Sequence, residues 1–226
     1  MPELVAQHLS FGFGDSPLFR DMDLTLQSGE MVVCLGANAC GKTTLLRLLS
    51  GLLAPATGRV YVRGTNGEAL RNQVGILFQN PDHQMMAPTV EEEIALGLEL
   101  RGTKPEIMRE TVDSLLARFQ LDALKHHPPQ ALSGGQKQRV ALAAIMASKP
   151  HFLLLDEPDS FLDAPSRREL MTGVEEVRRD CGILWTTPHP RRMPAADKYC
   201  LLRGGCLEDC SRDEIVIVTD AVGVSP

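Results

Sequence analysis

The chain has 226 residues, 43% of them hydrophobic, and a formal charge of -6 at pH 7. That apolar fraction builds a sizeable core and excludes a disordered chain, while the net negative charge excludes a nucleic-acid-binding surface spread over the whole molecule, so no nucleic acid is expected as a partner. No apolar run reaches the roughly 18 residues that span a bilayer, and the Met1-Pro2-Glu3 start lacks a basic-then-apolar leader pattern, which predicts a cytosolic chain or one held at a membrane by a partner.

In chain order, Leu4 to Phe13 alternates as a strand, Gly12 to Pro17 reads as a turn, and about Asp23 to Gln27 is a second strand, which predicts an antiparallel start. The apolar run Met31-Val32-Val33-Cys34-Leu35 leads into Gly36-Ala37-Asn38-Ala39-Cys40-Gly41-Lys42-Thr43, followed by the helical pattern from Thr44. Arg59 to Arg63 and Gly75 to Phe78 are further strands, and a largely helical region begins near Asn80, with helices predicted over Val90 to Leu100 and Glu106 to Phe119. After Pro128-Pro129, a helix starts at Ser133. His151-Phe152-Leu153-Leu154-Leu155 is the continuous apolar run of a strand covered on both faces, and Asp156 and Glu157 follow it at once. Ser166 to Arg179 is predicted helical; Gly182 to Thr187 and Lys198 to Arg203 are predicted strands. Ser211 with Glu214 reads as a capping box, although Ile215 to Val218 also suits a strand. Strands alternating with helices predict an α/β fold with a mostly parallel sheet, an N-terminal antiparallel β region and an inserted helical subdomain, the core at about 1–79 and 150–226 and the subdomain at about 80–149.

The stretch Gly36 to Thr43 fits G-x-x-x-x-G-K-T between a strand and a helix, the context in which this pattern is a phosphate-binding loop. Its glycines let successive N–H groups point at phosphate oxygens beside a helix N-terminus. Lys42 adds a charge for the β- and γ-phosphates and Thr43 a hydroxyl for Mg²⁺; the plain alternative is a glycine-rich junction. Two acids at the end of a buried strand are costly without a cation nearby, so Asp156 and Glu157 suggest metal and catalysis, whereas capping of the Pro158-Asp159 turn explains only one of them. Ser133-Gly134-Gly135 before a helix is a second anion-binding device, or an ordinary cap.

With Leu132-Ser133-Gly134-Gly135-Gln136, Gln79 and the Ser160-Phe161-Leu162-Asp163 stretch in the same order as in that family, the chain resembles the ATP-binding cassette (ABC) ATPases, P-loop NTPases, over nearly its whole length. The resemblance implies that Gly36, Ala37, Asn38, Ala39, Cys40, Gly41, Lys42, Thr43 and Thr44 bind ATP, that Thr43, Gln79 and Asp156 hold Mg²⁺, and that Glu157 orients the attacking water with help from Lys42 and Gln79. It further implies a head-to-tail pair of cassettes, identical or merely similar, in which Ser133 and Gly135 reach the nucleotide of the second chain. Phe11 or Phe13, the latter being the assigned nucleotide contact, either stacks on the base or is a half-buried strand aromatic. Phe78 to Gln84 and Ala87 to Glu93 look like the ATPase component of energy-coupling factor importers of vitamins, cobalt or nickel. The expectation is an ATPase at the cytoplasmic face of the membrane, driving import through integral-membrane subunits. The rival readings are a soluble cassette ATPase acting on DNA or the ribosome, which typically carries a coiled-coil insertion or tandem cassettes, and a weakly hydrolysing regulatory cassette, against which Glu157 speaks. Little room is expected for a further C-terminal domain.

Two departures stand out. The family's histidine directly after the threonine of the strand following Asp156-Glu157 is displaced by Pro188 to His189. Either an irregularity brings His189 to the γ-phosphate or the switch is altered. Cys40, beside Lys42 at a helix N-terminus, is expected to have a lowered thiol pKa and nucleotide-protected reactivity, or else to be a tolerated small residue. Among the six cysteines, Cys200, Cys206 and Cys210 cluster at irregular spacing without a nearby histidine, and no metal is assigned to them.

Overall fold

The structure, a computed structural model, describes residues 1–65 and 69–214. Contacts divide the chain into two units. The first joins Met1–Ile76, His151–Glu157 and the chain from Asp180 onward; the second joins Leu77–Pro150 and Pro158–Arg179. The linear reading keeps residues 150–226 together, but the contacts group Pro158–Arg179 with the helices. The Ile215 to Val218 stretch lies outside the described residues.

In the first unit the strands are β1 (Glu3–Phe13), β2 (Ser16–Gln27), β3 (Met31–Leu35), β4 (Thr57–Arg63), β5 (Val74–Leu77), β6 (Phe152–Asp156), β7 (Gly182–Thr187), β8 (Lys198–Arg203) and β9 (Cys206–Cys210), with helices α1 (Lys42–Leu49) and α2 (Leu70–Gln73). An antiparallel sheet has the order β2-β1-β4, and a six-stranded sheet the order β5-β6-β7-β3-β8-β9. Strand β2 starts at Ser16, earlier than the sequence predicts, because Pro17 lies on an edge strand, where a missing N–H breaks no ladder. β9 has no counterpart in the sequence reading. It pairs antiparallel with β8 across Gly204-Gly205, both at positive φ (58° and 80°), the geometry a two-residue hairpin turn needs.

Strands β6, β7, β3 and β8 run parallel. All of Phe152 to Leu155 are 0% exposed, which explains their unbroken apolar run. Leu45, Leu46, Leu48 and Leu49 bury one side of α1 in the same cluster as Phe152, Leu154 and Leu184, each such side chain contributing roughly 1.5–3 kcal/mol of transfer free energy. Parallel pairing also aligns strand ends: Leu35 is opposite Thr187, and Asp156 is opposite Thr186. The loop after β3, the acids ending β6 and the hydroxyls ending β7 therefore emerge at one edge, where α/β folds place ligands.

The second unit contains α3 (Val90–Leu100), α4 (Pro105–Arg118), α5 (Gly134–Ala147) and α6 (Ala164–Val177). Helix α5 packs on α3 and α6, and α4 packs on α3 and α5. Thr89 with Glu92, and Ser133 with Gln136, form capping boxes at the starts of α3 and α5. Ser211 and Glu214 exchange the same pair of bonds.

Candidate functional site

The loop after β3 is shaped by its backbone. Gly41 has φ 108° and Ala39 φ 62°, both left-handed, and a Cβ on Gly36 would come within 2.5 Å of the Cys40 sulfur. Ala37, Asn38 and Ala39 are exposed, and Gly36 N–H donates to Thr187 O at 3.2 Å. Lys42, 4% exposed, folds back over the loop: its Nζ donates to Gly36 O (2.8 Å) and Ala37 O (3.0 Å) and lies 3.0 Å from Glu157 Oε1. Thr43 Oγ1 donates to Asp156 Oδ2 at 2.7 Å. Side chains more than a hundred positions apart in sequence thus meet in pairs, Lys42 with Glu157 and Thr43 with Asp156.

Asp156 is 3% exposed, and burial pushes its carboxyl pKa up against the pull of the Thr43 and Thr186 hydroxyls. Glu157 has φ 46°, a left-handed backbone that a residue with a side chain adopts only under constraint. The constraint comes from Thr186, whose carbonyl and Oγ1 both accept from Glu157 N–H (3.2 and 3.3 Å) and whose hydroxyl also donates to Asp156 Oδ1 (3.2 Å). The sequence reading missed Thr186 as a site residue. Its signal was there: two hydroxyls, Thr186 and Thr187, end a strand buried throughout.

Thr44 lies half-buried in the first turn of α1. His189 is half-buried beyond Pro188, its N–H bonded to Thr187 Oγ1 at 3.1 Å, and its ring has no hydrogen-bond partner among the described residues. Phe13 is 63% exposed and meets Phe11 edge-on, ring centroids 5.1 Å apart. In the second unit, half-buried Gln79 follows β5, and exposed Ser133 caps α5. Gly135 is buried within its own chain: a Cβ there would lie 2.7 Å from Ser166 Cβ and 3.0 Å from Ser166 Cα.

Of the two readings of Cys40, the lowered thiol pKa is corrected. Burial pushes its thiol pKa up, outweighing the pull of the Lys42 charge. The sulfur is tucked over Gly36, while the Lys42 ammonium is engaged by two carbonyls and Glu157. At pH 7 iodoacetamide should therefore modify exposed Cys206 before Cys40. Peptide mapping after brief labelling checks the order, and faster labelling of Cys40 would contradict it.

Residues 19–160, from within β2 through the loop, the acids and Ser160, match the family model described as ABC transporter. The chain belongs to the ABC transporter family. Among its relatives, this ABC ATPase is 36% identical to the energy-coupling factor transporter ATP-binding protein EcfA of Syntrophomonas wolfei over 88% of this chain and 76% of that protein. It is 35% identical to EcfA1 of Thermotoga maritima, over 92% of this chain and 81% of the relative. Among solved structures it is similar to cbiO1 from Clostridium perfringens, described as part of the ABC transporter complex cbiONQ, with a TM-score of 0.84 and 27% identity over 97% of this chain and 92% of that one.

Proposed function

We propose that this ABC ATPase is the ATP-hydrolysing subunit of an energy-coupling factor importer of vitamins, cobalt or nickel, working at the cytoplasmic face of the membrane with integral-membrane subunits and a second cassette. The observation that carries the enzymatic part is the pairing of Lys42 with Glu157 and of Thr43 with Asp156, which joins a phosphate loop to two acids at one sheet edge. The transport part rests on the EcfA relatives.

Lys42 bonds two carbonyls of its own loop, those of Gly36 and Ala37. When the phosphates of ATP enter, the ammonium exchanges these partners for β- and γ-phosphate oxygens, and the loop N–H groups take the rest. Glu157, whose carboxylate lies 3.0 Å from that ammonium, orients a water at the γ-phosphate. Thr43 and Asp156 offer hard oxygen donors, one of them a buried acid in need of a positive neighbour, which fits Mg²⁺. Bound Mg²⁺ supplies charge neutralisation on the phosphates. His189, whose ring has no hydrogen-bond partner among the described residues, serves as the γ-phosphate contact, and Phe13 offers a face for the adenine. Ser133 and Gly135 complete the site in trans, on the nucleotide of the second cassette.

A tagged chain extracted from membranes in mild detergent should bring integral-membrane subunits with it, and the complex should hydrolyse Mg-ATP. Recovery only as a water-soluble ATPase free of membrane proteins would overturn the transport reading.

A further inference from the structure

Lysine is an unexpected residue in the first turn or so of α5. A helix N-terminus carries partial positive charge, which disfavours a cation there, and the first turn has no acid of its own. Lys137 nevertheless lies mostly covered, with its side chain 16% exposed and its Nζ 2.6 Å from Asp82 Oδ1. Asp82 belongs to the short 3-10 turn Pro81–His83, separated from Gln79 by its cap Asn80.

That turn is braced by its own bonds. The Asn80 side chain accepts from Asp82 N–H (3.0 Å), Gln84 N–H donates to Pro81 O (2.9 Å), and the Gln84 side chain reaches back to accept from Phe78 N–H (2.8 Å). Gln79 therefore sits within a closed segment, Phe78 to Gln84, and the turn packs against α5. On the other side of the ion pair, Lys137 N–H donates to Ser133 O at 2.9 Å, and Ser133 and Gln136 lock the turn through their capping box.

We propose that the Asp82–Lys137 ion pair is a positioning element that fixes the Ser133–Gln136 turn to the segment carrying Gln79, so that a displacement of that segment moves the turn presented to the second cassette. The inference rests on the reading of Ser133 and Gly135 as a trans half-site. Both residues act through others, Asp82 through Lys137 and Lys137 through the Ser133 turn. Asp82 is about half exposed, so the pair adds little to stability, which separates a positioning role from a merely structural one.

The test compares the full chain with Asp82→Asn, Lys137→Gln, the double variant and Lys137→Arg. Each neutralising change should lower kcat for Mg-ATP about tenfold, with melting temperature and trinitrophenyl-ATP affinity unchanged. The double variant should be no slower than the slower single one, and Lys137→Arg should keep turnover within about threefold of the parent. By hydrogen-deuterium exchange, the segment Ser133 to Gln138 should exchange faster in Asp82→Asn. Multiplying losses in the double variant, or singles with parental turnover and parental exchange, would overturn the proposal. A parent chain that binds nucleotide yet never turns it over, alone or with membrane subunits, would count against the proposed function instead, and the exchange measurement then decides the ion pair by itself.

Discussion

Glu157→Gln is expected to reduce Mg-ATP turnover by at least about 10²-fold while leaving ATP binding intact. Glutamine has the shape of glutamate, so the left-handed backbone at φ 46° and the two bonds from the 157 N–H to Thr186 are preserved. The substitution removes only charge and basicity. It also takes away the carboxylate 3.0 Å from Lys42, so that the ammonium keeps its bonds to the Gly36 and Ala37 carbonyls but loses its nearest counter-ion among the described residues. A nearly buried cation short of its counter-ion attracts phosphate more strongly, so ATP affinity should hold or rise. Single-turnover hydrolysis alongside equilibrium binding separates the two effects. Turnover within threefold of the parent would remove Glu157 from the catalytic role and revive the reading of the acids as turn caps.

Asp156→Asn should have opposite effects on function and on stability. Turnover should fall by at least about 10²-fold, since the oxygen charge assigned to Mg²⁺ is lost. The ligand-free protein should nonetheless melt higher at pH 7, by about 2–4 °C if roughly 1 kcal/mol is recovered. The sign follows from linkage. Burial raises the folded pKa of Asp156 above its unfolded value, so the folded state binds the proton more tightly. The contribution to stability is full below the unfolded pKa and is lost as pH rises through the folded one. At neutral pH the carboxylate is a burden on the folded state that the amide does not carry. Thr43 and Thr186 can still bond the substituted amide, because a hydroxyl either donates or accepts. Thermal unfolding without nucleotide or divalent ions, from pH 7 toward the ordinary carboxylate range, should show the advantage shrinking. A lower melting temperature at pH 7 would contradict the account.

Much of the site was legible because its pieces are short and local. Gly36 to Thr43 needs only a strand before it and a helix after it, and Phe152 to Glu157 announces a doubly covered strand by its unbroken apolar run. The pairing of these pieces was not legible from local pattern. Thr43 and Asp156 meet only because β3 and β6 flank β7 in the parallel sheet, a fact of strand order that no nearby residue encodes. Thr186 was overlooked for the same reason: its value lies in facing Asp156 across the β6–β7 ladder. At Cys40 the error was of another kind, since a neighbouring lysine was weighed and the desolvation of the sulfur was not. The β9 hairpin could have been found, because Gly204-Gly205 between two short strands is a turn signal in its own right.

The fit of Gly135 against Ser166 bears on how mutational scans of this protein should be interpreted. A side chain at position 135 first meets the backbone and Cβ of its own chain, at 3.0 and 2.7 Å, so inactivity in an alanine variant reports a displaced α6 as readily as a broken contact with a neighbouring subunit. Activity scores at this position therefore mix two causes. Pairing Gly135→Ala with Ser166→Gly, which removes the nearer of the two obstacles, would apportion them.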